Sequence, residues 1–134
     1  MTTRRRFLQT LAAIPPSLLV GPSWSAPATA DPSRLALVFG NSAYRDAPLT
    51  NPSNDARAMS SLLDQAGFTV DSHLDATRTS MIAAIEKFGA AIQRPETKQV
   101  VFYYAGHGVQ LDWRNYLLPV DAVVEKADQL KQRC

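Results

Sequence analysis

The sequence predicts an α/β protein built on a mostly parallel β-sheet. Two short runs are almost wholly apolar, RLALVFG at Arg34–Gly40 and VVFYYAG at Val100–Gly106, which is typical of strands buried on both faces. Between them, two segments carry apolar residues at helical spacing, and a further strand-like stretch separates these segments. Strand, helix, strand, helix, strand is the order expected of a parallel sheet with crossover helices.

The first helix is predicted over DARAMSSLLDQAG, with Asn54 as its N-cap. Gly67 supplies the left-handed residue that ends it. One side of this helix is apolar at a spacing of three or four residues, which identifies the face that packs on the sheet. The residues of that face are Ala56, Met59, Leu63 and Ala66.

The second half of the chain repeats the pattern. FTVDSHLDA is a more polar strand, expected near an edge of the sheet, and a helix then begins at Thr79 or Ser80 and ends before Pro95. NYLLPV, at Asn115–Val120, is a short final strand. The predicted buried face of the second helix consists of Met81, Ile85, Phe88 and Ile92.

Residues 1–30 have the organisation of an export signal. TRRRFLQ supplies a charged start, LAAIPPSLLV a short apolar middle, and Ala28–Ala30 an A-x-A end, so cleavage is expected after Ala30. The start resembles bacterial twin-arginine signals, which predicts a periplasmic or secreted domain over residues 31–134. A membrane anchor is the alternative, but the apolar middle is about half the length of a spanning helix and contains prolines. No stable membrane insertion is expected after cleavage.

Composition excludes several other classes of protein. The net charge of +2 comes from Arg4, Arg5 and Arg6, because residues 31–134 hold 11 basic and 12 acidic side chains. No basic patch remains there, so nucleic acid is not an expected partner. Cys134 is the only cysteine, which excludes an intrachain disulfide.

His107 lies between two glycines at the end of the most hydrophobic predicted strand. Ligands of open parallel sheets bind outside the carboxyl ends of the strands, and His107 is expected at such an end. Placement favours a functional site. From spacing alone, a simple turn residue remains the alternative.

Four blocks of the sequence resemble the caspase and metacaspase-like cysteine peptidases. They are LALVFGNSAY, LTNPSNDARAMSSLLDQAGF, VFYYAGHG and NYLLPVDA, in the order that the family has them, within residues 34–122. The resemblance implies a caspase-like three-layer fold with a mostly parallel sheet, truncated after the histidine-bearing strand and loop. It also implies a cysteine-type endopeptidase whose partner is a peptide or protein substrate.

The resemblance assigns roles to three residues. His107 would exchange protons with the thiol and the leaving amine, and the Gly108 backbone N–H would stabilise the oxyanion. Asp55 would line the pocket for the residue before the cut and favour Arg or Lys there. Asp55 also fits a purely structural role at the helix N-terminus, and the two roles are compatible. No cofactor is expected, although metacaspase relatives often need calcium.

The nucleophile is not apparent in the sequence. In the caspase family the cysteine follows the histidine by about fifty residues, at the tip of the next strand. Cys134 follows His107 by 27 residues and comes after the charged stretch VVEKADQLKQR, so we expect another cysteine to be the nucleophile and residues 31–134 to be inactive alone. A caspase-like module kept only for binding partners is the alternative to an enzyme.

The remaining polar and aromatic candidates are expected to be structural. His73 is predicted to be exposed to solvent, and Tyr103 and Tyr104 are predicted to be packing residues. Three aspartates are predicted to be surface carboxylates because none has metal-ligand spacing: Asp71, Asp75 and Asp112.

Overall fold

The computed structural model describes residues 29–123, which form a three-stranded parallel sheet, two helices and a β-hairpin. Nearly all of the predicted signal peptide, residues 1–30, and also Cys134 lie outside the described residues. Within residues 29–123, no helix is long and apolar enough to cross a membrane. The elements are β1 (Asp31–Gly40), α1 (Pro52–Gln65), β2 (Phe68–Leu74), α2 (Arg78–Ile92), β3 (Gln99–Ala105), β4 (Gly108–Leu111) and β5 (Arg114–Leu117).

Strand β1 is the centre of the sheet, which has the order β2-β1-β3. It pairs in parallel with both neighbours, and its residues Ala36–Phe39 are at most 1% exposed. The predicted buried strand is therefore confirmed, although it begins three residues earlier, at Asp31. Strand β2 lies at an edge and is only partly buried, as its more polar sequence predicts.

The two helices cover opposite faces of the sheet, which gives three layers. Side chains alternate along β1, so Ala36 and Val38 pack against α1 while Leu37 and Phe39 pack against α2. The α1 side is completed by Ala56, Leu63 and Phe68, and the α2 side by Ala76, Met81 and Ala84. The predicted three-layer α/β fold is confirmed.

The prediction that β3 is buried on both faces is wrong for the residues described. Val100 is 51% and Phe102 47% exposed, and β3 is the second edge of the described sheet. The reason lies in the position of α2, whose Lys87 reaches Asp71 on β2. The helix therefore lies over β1 and β2 and leaves the same face of β3 open.

Both helix starts differ from the prediction. Asn51, not Asn54, is the N-cap of α1, because Pro52 can occupy the first helical turn without losing a hydrogen bond. Helix α2 begins after Thr77, whose side chain accepts from the Ser80 N–H. Gly67 is left-handed with φ of 84°, as predicted.

The predicted buried face of α2 is only half right. Met81 is buried and Phe88 packs against the core, together with Ala84, whereas Ile85 and Ile92 are 43% and 36% exposed. The helix contacts the sheet through a narrow stripe at residues 81, 84 and 88. Its second apolar stripe, with Ile82, Ile85 and Ile92, is only partly covered by residues 29–123 and stays 36–43% exposed.

The NYLLPV segment does not join the parallel sheet. Residues Arg114–Leu117 form β5, which pairs antiparallel with β4 in a hairpin. The two turn residues, Asp112 and Trp113, have φ of 51° and 62°, as in a type I′ turn. Asp112 is exposed, as predicted. After β5 the chain returns to the start of α2, where the Val120 N–H donates to the Ala76 carbonyl.

His73 is not the exposed residue that the sequence predicts. Its ring stacks on Phe39 with centroids 5.3 Å apart, and its Nε2 atom lies 2.9 Å from Asp71 Oδ1, withdrawn from solvent but without the alignment of a hydrogen bond. Asp71 also accepts from Lys87, and that hydrogen bond holds the pKa of Asp71 below its usual range. This cluster ties α2 to β2.

Candidate active site

His107 lies between β3 and β4, at the carboxyl edge of the sheet where the sequence predicts it. The loop that follows β1 reaches the same edge, and its Tyr44 packs against the histidine with ring centroids 4.5 Å apart. The imidazole is half-buried. Two chain segments that are 60 residues apart therefore form one site.

The imidazole of His107 has a defined tautomer. Its Nε2 atom lies 2.8 Å from the carbonyl oxygen of Ala47. A carbonyl can only accept a hydrogen bond, so Nε2 carries a hydrogen, and in the neutral imidazole Nδ1 would then hold the lone pair. The contact with Ala47 and the ring of Tyr44 fix the orientation of the imidazole. An imidazole that is oriented in this way through Nε2 can act as a general base through Nδ1 when it is neutral.

The backbone of His107 is held by two tyrosine hydroxyls. Its N–H donates to the Tyr44 hydroxyl at 2.9 Å, and its carbonyl lies 2.8 Å from the Tyr104 hydroxyl and accepts from the Leu118 N–H at 3.0 Å. The two hydroxyl oxygens are 3.0 Å apart, and each also lies 2.8–2.9 Å from the Leu118 carbonyl oxygen. We call Tyr44 and Tyr104 the tyrosine pair. The tyrosine pair connects three segments: the loop after β1, the loop between β3 and β4 that holds His107 (the histidine loop), and the chain after β5.

Tyr104 stays a neutral phenol in this network. Burial, and next the hydrogen bond with Tyr44, raise the pKa of Tyr104 far above its usual value. The prediction that Tyr103 and Tyr104 are packing residues holds for Tyr103, which packs on the α1 side. Tyr104 packs on the α2 side and in addition supports the histidine loop.

Gly106 is required by the tyrosine pair. A Cβ atom at this position would lie 2.5 Å from the Tyr44 hydroxyl oxygen and 2.7 Å from that of Tyr104. A larger residue would therefore push apart the groups that hold His107. The glycine before the histidine thus has a packing reason that the sequence alone does not reveal.

Gly108 presents its backbone differently. Because the Leu118 N–H donates to the His107 carbonyl, these residues continue the hydrogen-bonded pairs of the hairpin. Hydrogen-bonded and non-bonded pairs alternate in an antiparallel ladder, so the next pair, Gly108 and Leu117, is non-bonded. The Gly108 N–H therefore points away from β5. This direction is compatible with the predicted oxyanion donor.

His107 lines a cleft of about 280 Å³, together with Ala47, whose carbonyl contacts Nε2. Asp55 is not part of this cleft: it is exposed in the first turn of α1, and its N–H donates to the Asn51 carbonyl. Its predicted role in substrate binding stays a prediction. The cleft is lined by Tyr44, Arg45, Asp46, Ala47, His107, Leu118, Ala122 and Val123.

Sequence reasoning missed the residues that shape the loop after β1. Asn41 is fully buried, accepts from the Ala76 N–H and donates to the Leu118 carbonyl. Asp75 is exposed, as predicted, but one of its oxygens also accepts from the N–H groups of Ser42 and Ala43. An asparagine and a serine directly after a buried strand, Asn41 and Ser42, were the available signal.

We expect Tyr44→Phe to loosen the histidine loop while keeping the ring contact. The change leaves the half-buried His107 N–H without its acceptor, at a cost of about 1–2 kcal/mol. In the 134-residue chain, urea denaturation should show this loss, and the His107 amide should exchange with solvent faster. Tyr103→Phe is the control, because no hydrogen bond of its hydroxyl is found in residues 29–123. Unchanged exchange at His107 would contradict the role of the tyrosine pair.

Comparison with known proteins places the sequence of this chain in a family. The sequence model of the caspase domain family matches residues 33–133. The chain is 36% identical over 90 residues to human mucosa-associated lymphoid tissue lymphoma translocation protein 1, and 34% identical over 90 residues to its mouse homolog. Each alignment covers 66% of this chain and 11% of the relative, so the chain spans only a small part of the length of these relatives.

Proposed function

Because this chain belongs to the caspase domain family, we propose that it is the amino-terminal part of an exported cysteine-type endopeptidase. The observation that carries the proposal is the contact between His107 Nε2 and the Ala47 carbonyl, which makes Nε2 the donor and leaves Nδ1 as the nitrogen that can accept a proton when the imidazole is neutral. Protein or peptide chains are the substrates that the family implies.

The proposed mechanism uses His107 twice. Nδ1 accepts the proton of a cysteine thiol, and the thiolate attacks the scissile carbonyl carbon. The Gly108 N–H donates to the oxyanion, and the imidazolium then returns its proton to the leaving amine. Water, deprotonated by the same nitrogen, hydrolyses the acyl-enzyme and releases the thiol. The Ala47 carbonyl stabilises the imidazolium that forms between the steps.

Cys134 is not the nucleophile in this proposal. It lies outside the described residues, 27 positions after His107, and the charged stretch before it has no pattern of a buried strand. The activity therefore belongs to the protein that carries this domain together with its nucleophile. The calcium requirement of metacaspase relatives stays an untested expectation for this chain, and no residue is assigned to a calcium ion.

We further propose a preference for Arg or Lys before the cut. Asp46 lines the His107 cleft, and Asp55 lies in the first turn of α1, which starts at the same edge of the sheet. A carboxylate beside the substrate residue before the cut attracts a basic side chain and disfavours an acidic one, and the resemblance gives that place to Asp55; Arg45, which also lines the cleft, opposes the charge of Asp46 there.

The test is hydrolysis of matched peptides with Arg, Lys or Asp before the cut by the full-length gene product. We expect hydrolysis of the Arg and Lys peptides, and Asp46→Ala or Asp55→Ala should lower the preference for them over the Asp peptide by about tenfold, which corresponds to about 1.4 kcal/mol. Asp64→Ala is the control, since this exposed carboxylate lies at the other end of α1. No hydrolysis of any peptide would favour a non-catalytic binding module, and a preference for Asp would overturn the proposed specificity.

Export is a separate part of the proposal and has its own test. The pattern TRRRFLQ supports the twin-arginine route. We expect an Arg4→Lys/Arg5→Lys double variant to remain in the cytoplasm of a bacterial host, whereas the unchanged chain is found in the periplasm after cell fractionation. An Arg6→Lys variant is the matched control. Normal export of the double variant would exclude the twin-arginine route.

A further inference from the structure

The loop after β1 contacts the imidazole of His107 and is itself held from strand β2. The carbonyl of Ala47, in this loop, contacts His107 Nε2. At the start of the loop, the N–H groups of Ser42 and Ala43 both donate to one oxygen of Asp75, at 2.7 and 2.8 Å. Asp75 directly follows β2, which lies on the other side of β1 from the histidine-bearing strand β3. All three strands of the sheet therefore contribute to the placement of the histidine.

The backbone of Asp75 has a left-handed conformation, with φ of 51°. Apart from glycine, aspartate and asparagine are the residues that tolerate this conformation best. The Asp75 N–H donates to the Gly40 carbonyl at 2.9 Å, so main chain and side chain both tie this residue to the end of β1 and the loop behind it. Glycine would suit the backbone at least as well but has no side-chain oxygen. The carboxylate therefore does something that the backbone conformation alone does not require.

Ser42 connects the Asp75 contact with the histidine contact. The Ser42 carbonyl accepts from the N–H groups of Tyr44 and Leu49, at 3.0 and 2.9 Å. These two hydrogen bonds close the loop on either side of Ala47. Because Asp75 fixes Ser42, it also fixes where the carbonyl of Ala47 lies.

Two other supports of this loop act through different atoms. The side-chain oxygen of Asn41 accepts from the Ala76 N–H, and the Ser42 hydroxyl accepts from the Ser53 N–H. Neither contact provides an acceptor for the N–H groups that donate to Asp75. In its absence water would accept these hydrogen bonds, since Asp75 is exposed, but water does not fix the position of the loop.

We propose that Asp75 is a positioning residue for His107. Its carboxylate holds the loop so that the Ala47 carbonyl keeps the hydrogen of the neutral imidazole on Nε2. When the loop loosens, the tautomer with the hydrogen on Nδ1 becomes more populated, and this tautomer cannot take a proton at Nδ1. The effect on the tautomer follows from the contacts alone, and only its consequence for catalysis rests on the proposed function.

Two substitutions separate the carboxylate from the backbone conformation. Asp75→Gly keeps the left-handed conformation and removes the acceptor, whereas Asp75→Asn keeps both, because asparagine has a side-chain oxygen at the same distance from the backbone. Asp112 provides the matched control. It is an aspartate with the same φ of 51°, and no hydrogen bond of its carboxylate is found in residues 29–123.

Nitrogen NMR of the 134-residue chain with labelled histidine rings measures the tautomer of His107 at about pH 9, where imidazoles are neutral. The chain has two histidines, so a His73→Ala variant assigns the signals. We expect Asp75→Gly to raise the ratio of the Nδ1–H to the Nε2–H tautomer by about threefold or more, as the loss of an ordinary hydrogen bond implies. Asp75→Asn and Asp112→Gly should leave the ratio unchanged.

In the full-length gene product, Asp75→Gly should lower kcat for an Arg-containing peptide and leave KM close to its normal value, and Asp75→Asn should restore kcat. If the unchanged full-length product hydrolyses no peptide, the proposed function fails, while the tautomer ratio still decides the role of Asp75.

Three results would overturn the role of Asp75. The first is an unchanged tautomer ratio in a folded Asp75→Gly chain, which would mean that Asn41 and the Ser42 hydroxyl suffice to hold the loop. The second is an equal change in Asp112→Gly, and the third is a failure of Asp75→Asn to keep the normal ratio. If circular dichroism shows that Asp75→Gly does not fold, Asp75→Ser takes its place, because its oxygen lies one bond closer to the backbone, and the same rise in the ratio is expected.

Discussion

His107→Ala in the full-length gene product should lower kcat/KM for an Arg-containing peptide by about 10²–10⁴-fold, the usual loss for a positioned acid–base group. Among residues 29–123, His107 is the histidine that lines the cleft. The loss should appear mainly in kcat, because the imidazole acts on the reacting atoms.

A second substitution separates the base from its support. Gln at position 107 can still donate a hydrogen bond toward the Ala47 carbonyl but has no basic nitrogen. His107→Gln should therefore be as inactive as His107→Ala. The control is His73→Ala, because His73 is the other histidine and lies on β2, stacked on Phe39. Peptide hydrolysis at the normal rate by either variant at position 107 would remove His107 from the mechanism.

The fold should survive the loss of the imidazole. The loop is held through the backbone of His107, whose N–H and carbonyl contact Tyr44, Tyr104 and Leu118. Alanine keeps all of these contacts. The urea midpoint of His107→Ala should thus stay close to that of the unchanged chain, which separates a chemical role from a structural one.

The sequence predicted the layers of the fold because apolar periodicity reports burial directly. Arg34–Gly40 is the central strand, and the two helical patterns lie on opposite faces of the sheet. The prediction failed for β3 because the apolar sequence of a strand does not show which other residues pack over its faces. Among the residues described, no helix packs over the face with Val100 and Phe102. It failed for the start of α1 because Asn51 and Asn54 are equivalent as cap residues, and only the position of Pro52 distinguishes them.

The sequence predicted the site only in part. His107 stands out because two glycines and a buried strand surround it. Its support does not stand out: Ala47 contributes only a backbone carbonyl, and any residue could occupy that position. Tyr44 and Tyr104 lie 60 residues apart, so their hydroxyl contact depends on the pairing of β1 with β3. A sequence pattern reports which side chains are present but not which backbone groups meet them.

Gly40→Ala should strongly destabilise the fold. A Cβ atom at Gly40 would lie 2.5 Å from Ala56 Cβ and 2.7 Å from the Pro52 carbonyl oxygen. Neither neighbour can rotate away, because one is a fully buried methyl group and the other belongs to the backbone of α1. Helix α1 would have to move away from β1, and overpacking of this kind costs about 3 kcal/mol or more.

That shift should also disturb the loop that supports His107. The start of α1 is tied to the loop by the Ser53 N–H and hydroxyl, which both contact the Ser42 hydroxyl. Moving α1 therefore strains the segment that ends in Tyr44 and Ala47. We expect Gly40→Ala to lower the urea midpoint and to speed amide exchange at His107, although Gly40 itself makes no contact with the histidine.

Gly89→Ala provides the matched control for this prediction. A Cβ atom at Gly89 meets no described atom within 4 Å, and alanine is favoured over glycine inside a helix by up to about 1 kcal/mol. The same substitution should therefore lower the free energy of unfolding at Gly40 and leave it equal or higher at Gly89. If Gly40→Ala unfolds at the same urea concentration as the unchanged chain, α1 does not approach β1 as closely as this packing requires, and the path from Gly40 to His107 fails with it.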